Sequence, residues 1–288
     1  MRPSSGSTTP SLFPLHAARL LAVVALVAVL GACSMFGRKG NTIDTMPLEP
    51  LYNRSHSFLE AGNYSGAVRA FQRLIARFPS GPYSEQAQLE LAYAQYKDNQ
   101  PDEALSTINR FIKTYPANKH VDYAYYLRGL INFDRTSGFI ERFTKRAGGL
   151  TRRDQGYNLQ AFDDFSELSR RFPDSAYTAD ARQRMIYLRN LLAQYEINVA
   201  EFYLQNKAYI AAADRSQYVI EHYQQAPQTG DALAILARSY LALDRKELAA
   251  QTREVLALNY PNHPYLTDPK WPHAPSLVRK MIPFSGHH

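Results

Sequence analysis

The only cysteine among 288 residues is Cys33, which closes the segment Leu30-Gly31-Ala32-Cys33. A lone cysteine forms no internal disulfide, and no further Cys or His stands near it at zinc-ligand spacing. Upstream, Arg2 and Arg19 give a basic start, and Leu20 to Leu30 is an unbroken apolar run. That run is too short to cross a bilayer and suits the apolar stretch of a signal peptide. Gly31 and Ala32 are then the small residues that precede a cleavage point, so the chemistry on offer is modification of a thiol at a new N-terminus.

This arrangement resembles a bacterial lipobox. The resemblance implies a signal peptide over residues 1–32, diacylglycerol thioether-linked to Cys33, and acylation of its amine. Several chains anchor far more firmly than one. The other reading is an ordinary secretory signal in which Cys33 is incidental. Residue 34 is Ser, not Asp, which implies sorting to the outer membrane. The covalent lipid is the sole attached group expected; no cofactor and no metal site is.

Elsewhere the chain offers no catalytic pattern. There is no nucleophile elbow, Walker loop, HExxH or Gly-rich dinucleotide turn, so an enzyme is not expected. The eight histidines are scattered. Asp163-Asp164, followed by Arg170-Arg171, reads as a charged outer face rather than an acid pair. Cleavage after Ala32 removes two arginines and no acid, leaving 31 basic and 26 acidic side chains. That mild excess, without a dense basic block, argues against nucleic acid as a partner.

Internal repetition supplies the framework. The segments AVRAFQRLIARFP (67–79), ALSTINRFIKTYP (104–116) and AFDDFSELSRRFP (161–173) share Ala, then apolar residues at offsets of four and three, then an aromatic and Pro. These offsets lie on one helical face, and Pro stops the helix. ELAAQTREVLALNYP (247–261) keeps the pattern with Arg253 at the middle position, and 209–224 ends in Gln224 instead of Pro. A second amphipathic segment precedes each copy, and small residues such as Ala92, Ala94, Ala237 and Ala242 suit close helix approach. The expectation is an all-α chain of five helix–turn–helix units resembling tetratricopeptide (TPR) repeats, stacked as a right-handed superhelical solenoid.

The expected divisions are a tether over 33–47, units one to three over 48–175, units four and five over 176–261, and a Pro-rich extended tail over 262–288. Two intervals are long. The first excess falls in 136–156, which breaks helical periodicity and carries five basic residues against two acids. The second falls in 178–209, which reads as one helix of about 30 residues, well above the usual length. Its extra turns either project past their neighbours or join two stacks.

RFPSGPYSEQAQLELAYAQYK (77–97), VDYAYYLRGL (121–130) and the stretch 165–209 are similar to the BamD/ComL family of outer-membrane-protein assembly lipoproteins, over about residues 33–260. The resemblance implies a lipid-anchored subunit of the β-barrel assembly (BAM) complex on the periplasmic face of the outer membrane. It also implies contact with the POTRA domains of the barrel subunit, with other BAM lipoproteins and with unfolded outer membrane proteins. The implied substrate-peptide groove comprises Tyr83, Gln86, Leu89, Tyr93, Tyr96, Tyr123, Tyr126 and Arg128; inter-repeat packing is the alternative for the tyrosines. Lys207 and Arg215 are the implied docking residues for POTRA carboxylates, or else solvated face residues. The rival class is another TPR lipoprotein adaptor, a pilotin or a peptidoglycan-enzyme adaptor.

Overall fold

The computed structural model describes residues 45–144, 155–268 and 271–272. Cys33, the signal segment and most of the tether lie outside them. The chain divides into two units, residues 1–51 and 52–288; of the first, residues 45–51 are described. Among the described residues there are ten α-helices and no strand. In order they are α1 (Leu48–Glu60), α2 (Tyr64–Arg77), α3 (Pro82–Lys97), α4 (Pro101–Thr114), α5 (Val121–Thr144), α6 (Gly156–Arg171), α7 (Thr178–Gln205), α8 (Tyr209–His222), α9 (Thr229–Ala242) and α10 (Lys246–Asn259). From α2 onward each helix packs on the next, and α3 also meets α5 and α7 meets α9. That is the layout of a TPR solenoid, in which first helices stack on first helices.

Local signals set the ends. α2, α4 and α6 stop two residues before Pro79, Pro116 and Pro173, because a residue preceding Pro avoids helical geometry. Pro82 and Pro101 open α3 and α4, where a missing N–H is harmless. The repeated apolar set forms the core. Ala104, Ile108 and Phe111 of α4, and Ala161, Phe165 and Leu168 of α6, are all fully buried. Each large side chain contributes on the order of 2–3 kcal/mol. Position 129 answers to Ala92, 37 residues earlier, yet is Gly. A Cβ there would lie 2.5 Å from Cε1 of Phe165, so the bulk of Phe165 excludes alanine.

Gly62, Asn99, Lys207 and Asp244 have φ of 71°, 60°, 59° and 57°. Each follows the first helix of its unit. Each turn closes with the same bond, from the next N–H to the carbonyl five residues back: Asn63 to Phe58, Gln100 to Gln95, Ala208 to Tyr203 and Arg245 to Tyr240. The Schellman geometry requires a left-handed residue, which Gly supplies without a Cβ clash. Lys207→Gly is therefore expected to stabilise the protein by about 0.5–1 kcal/mol in urea unfolding. An unchanged or lower midpoint would contradict this account of the turn.

Three expectations need correction. The stretch from 136 does not break the helix at once: α5 runs on to Thr144, since residues 136–144 contain no Pro and a single Gly. The tail is not wholly extended. Pro264–Leu266 form a 3-10 turn started by Pro264, and Tyr265 is buried. Ala242 is exposed at the end of α9 rather than packed. The long helix is α7, with 28 residues. Its first half buries Ala181 and Leu188 against α5 and α6, and its second half buries Ala193, Ile197 and Ala200 against α8 and α9. It joins two stacks.

Candidate functional site

Tyrosines of α1, α3 and α5 gather in one region of the surface. Two pockets adjoin there, of about 210 and 520 Å³, and share Gln86 and His120. The smaller is walled by Leu89, Tyr93, Tyr123 and Tyr177, with Glu90 and His56 also lining it. The larger lies between Tyr52, Tyr83 and the turn Ala117–His120 that precedes α5. Tyr52 and Tyr83 pack at 5.1 Å, and Tyr123 packs on Tyr177 at 5.3 Å.

Glu90 organises the polar side. Its carboxylate accepts from the Tyr52 hydroxyl at 2.7 Å and from Gln86 Nε2 at 2.9 Å, and it meets His56 Nδ1 at 2.9 Å. Burial, then the bond to Glu90, pushes the Tyr52 hydroxyl well above the tyrosine range. Burial does the same for Tyr123. His56 is also held above its ordinary value of 6.5, first by the hydrogen bond to Glu90, with burial working against it. A raised histidine stabilises the fold below 6.5, and that contribution fades as pH rises through the folded value. Proton NMR titration is therefore expected to place the His56 midpoint above 6.5, and Glu90→Gln to bring it down. A wild-type midpoint at or below the ordinary value would contradict the pair.

Tyr83, Gln86, Leu89, Tyr93 and Tyr123 thus come together, while Tyr96, Tyr126 and Arg128 line neither of the two pockets. Tyr96 donates to Asp134. Tyr126 stacks on Tyr177 at 5.0 Å and donates to Asp180 at 2.6 Å. Burial pushes Asp180 up, but bonds from Tyr126 and Arg184 outweigh it and hold the carboxyl low. Arg128 leaves the groove entirely. It lines a polar cleft of about 540 Å³ between α4, α5 and α6, where it meets Asp164 at 2.8 Å and Glu167 at 2.6 Å. Asp164 is accordingly no part of an outer charged face: its side chain is 1% exposed and also accepts from Asn132 at 2.7 Å. Asp163 beside it is exposed.

Lys207 is exposed and occupies the left-handed turn after α7. Arg215 is 46% exposed and pairs with Glu196 of α7 at 3.1 Å, so its charge already has a partner within the chain. Sequence reasoning passed over Tyr52, His56, Glu90, His120 and Tyr177. A signal existed for two of them. Tyr83, His120 and Tyr177 each stand four residues after the Pro that closes the preceding unit.

A family model described as outer membrane lipoprotein, YfiO, matches residues 44–268. The chain is 44% identical over 278 residues to the outer membrane protein assembly factor BamD of Xylella fastidiosa strain Temecula1, covering 96% of this chain and 93% of that one. It is 39% identical to the BamD of Neisseria meningitidis serogroup B, covering 87% and 94% of the two chains. The BamD of Vibrio cholerae El Tor Inaba is 32% identical, with 81% and 97% covered.

Proposed function

The chain belongs to the YfiO family of outer membrane lipoproteins, and from that premise we propose that its tyrosine-walled groove receives unfolded outer membrane proteins for the assembly machinery. It is an outer-membrane-associated subunit of the BAM complex. The anchor is the lipid on Cys33, and the solenoid faces the periplasm. Units one to three, over 48–175, hold the precursor. Units four and five, over 176–261, dock on the barrel subunit's POTRA domains, and other BAM lipoproteins join the same assembly. Lys207 remains a candidate for that docking; Arg215 takes part only by releasing Glu196.

One observation carries the substrate reading. Two adjoining pockets share Gln86 and His120 and are walled by tyrosines from successive units. In an extended peptide, side chains alternate and rise by about 3.3 Å per residue, so neighbouring side chains on one face reach neighbouring pockets. Aromatic walls suit the apolar outward face of a barrel strand. Tyr93→Ala is expected to weaken binding of a synthetic C-terminal barrel-strand peptide by roughly tenfold, a loss of about 1.4 kcal/mol. Fluorescence anisotropy with the soluble chain lacking residues 1–33 measures it, with Lys207→Ala as a control that leaves peptide affinity intact. Equal affinity for Tyr93→Ala and the parent chain overturns the assignment.

A further inference from the structure

The last unit carries arginine where earlier units carry apolar or aromatic side chains. Position for position, 145 residues on, Arg253 of α10 answers to Ile108 of α4, and Arg238 of α9 answers to Tyr93 of α3. In the interior of the stack both positions face the following unit. Ile108 packs in one cluster with Ala124, Leu127 and Ile131 of α5, and Tyr93 shares a pocket wall with Tyr123. Among the described residues no helix follows α10. α10 buries only Ala249 and Leu256, whereas α4 buries Ala104, Thr107, Ile108 and Phe111. The end of a solenoid needs a cap.

After Pro261 the chain starts as though a sixth unit followed. Tyr265 stands four residues after Pro261, the spacing of Tyr83, His120 and Tyr177 from their own prolines. His263 Nε2 meets Asp231 of α9, 32 residues back, at 3.0 Å; Asn118 donates to Glu85 of α3, 33 residues back, at 2.8 Å. Trp271 keeps that register, its carbonyl accepting from Arg238 Nη1, 33 residues back, at 2.9 Å. Tyr265 is buried with Leu233, Ala234, Ala237 and Leu256, and Trp271 packs on the same cluster and meets the His263 ring edge-on at 4.7 Å. The segment nevertheless contains Pro264, Pro269 and Pro272, and proline inside a helix removes a hydrogen bond and clashes with the preceding turn. A non-helical chain against a packed face leaves carbonyls that need donors. The two arginines supply them. Arg253 donates to Leu266 O at 2.8 Å, and Arg238 reaches the carbonyls of both Trp271 and Pro272.

We propose that residues 262–268 and 271–272 form a latch that stands in for the first helix of a sixth unit, holds α10 on α9, and lets α10 open locally when Trp271 leaves Arg238. Units of a solenoid are held by their nearest neighbours, and a segment with few buried contacts is the first to open. α10 has α9 on one side and the latch on the other. The latch thus makes the last unit conditional on two arginine clasps and one indole. Its bearing on partner docking rests on the proposed role of units four and five, whereas its opening is measurable without any partner.

Trp271 is the only tryptophan in the chain, so the latch carries its own fluorophore. In the soluble chain lacking residues 1–33, its emission is expected to be that of a packed indole with limited acrylamide quenching. Arg238→Ala is expected to move the emission to longer wavelength and raise quenching while the helical circular dichroism is kept. Amide hydrogen exchange read by mass spectrometry then compares α10 with α4. Trp271→Ala is expected to speed exchange over α10 by at least about tenfold and to leave α4 as in the parent chain. Arg238→Ala acts in the same direction, and it carries the test if Trp271→Ala does not fold. Three outcomes each overturn the proposal: solvent-exposed emission in the parent chain, unchanged α10 exchange in the variants, or equal acceleration of α4 and α10.

Discussion

Asp164→Ala is expected to destabilise the protein by roughly 3–5 kcal/mol, the usual penalty for removing one member of a buried ion pair. The side chain is 1% exposed, and Arg128, at 16%, would lose its nearest counter-charge while staying inside the cleft. Glu167, at 32%, is too open to hold that guanidinium alone. Burial pushes the Asp164 carboxyl above its usual range despite Arg128 and the bonds from Asn132 and Gln160. Keeping the charge inside is therefore costly, and the pair need not stabilise the fold relative to apolar residues. The chain already contains the apolar version at the corresponding positions of the preceding unit, Leu91 with Thr107. The double variant Arg128→Leu/Asp164→Thr is expected to recover more than half of the loss, with urea unfolding as the measurement. A cost under about 1 kcal/mol for Asp164→Ala would mean that water reaches Arg128 and the pair is not effectively buried.

The helices were legible because their cause is local. Apolar offsets of four and three, closing prolines and turn residues act over a few positions, and Ala104, Ile108 and Phe111 could be placed in the core directly. Length alone marked α7 as unusual and left two roles open, a projection or a join between stacks. The site was only partly legible, because repeat consensus positions face two ways. Tyr93 and Tyr123 wall a pocket, whereas Tyr125, two residues further on, is buried against Phe172 at 5.6 Å. Arg128 was misplaced for the same reason: three residues from a buried Tyr125 and one from Gly129, it sits on the flank of α5 that meets α6. Nothing local says that Asp164 waits there, since the pairing spans 36 positions. Arg215 likewise meets Glu196 only once α7 and α8 are packed. Partnerships between helices decide which charges are free, and a single helix does not display them.

Cys33→Ala, with the apolar leader exchanged for a cleavable secretory signal, is expected to move the protein from the membrane fraction to the soluble fraction once partner subunits are stripped away. Among the described residues no helix is long and apolar enough to cross a membrane. The chain from Ser34 onward carries 31 basic and 26 acidic side chains, and an excess that small holds a protein to anionic lipid only weakly. On the proposed lipid anchor, attachment falls to the acyl chains. Each buried methylene contributes about 0.8 kcal/mol, so one chain binds marginally and two or three bind almost irreversibly. The leader exchange matters because an uncleaved apolar run would itself tether the variant. A carbonate wash separates lipid attachment from attachment through other subunits, and mass spectrometry of the wild-type N-terminal peptide reads the modification directly. The α3–α5 groove lies outside the altered segment, so the released protein should bind barrel-strand peptide as the parent does. An unmodified Cys33 in the wild type, or a Cys33→Ala protein that stays with the lipid after the wash, would place the anchor elsewhere in the chain.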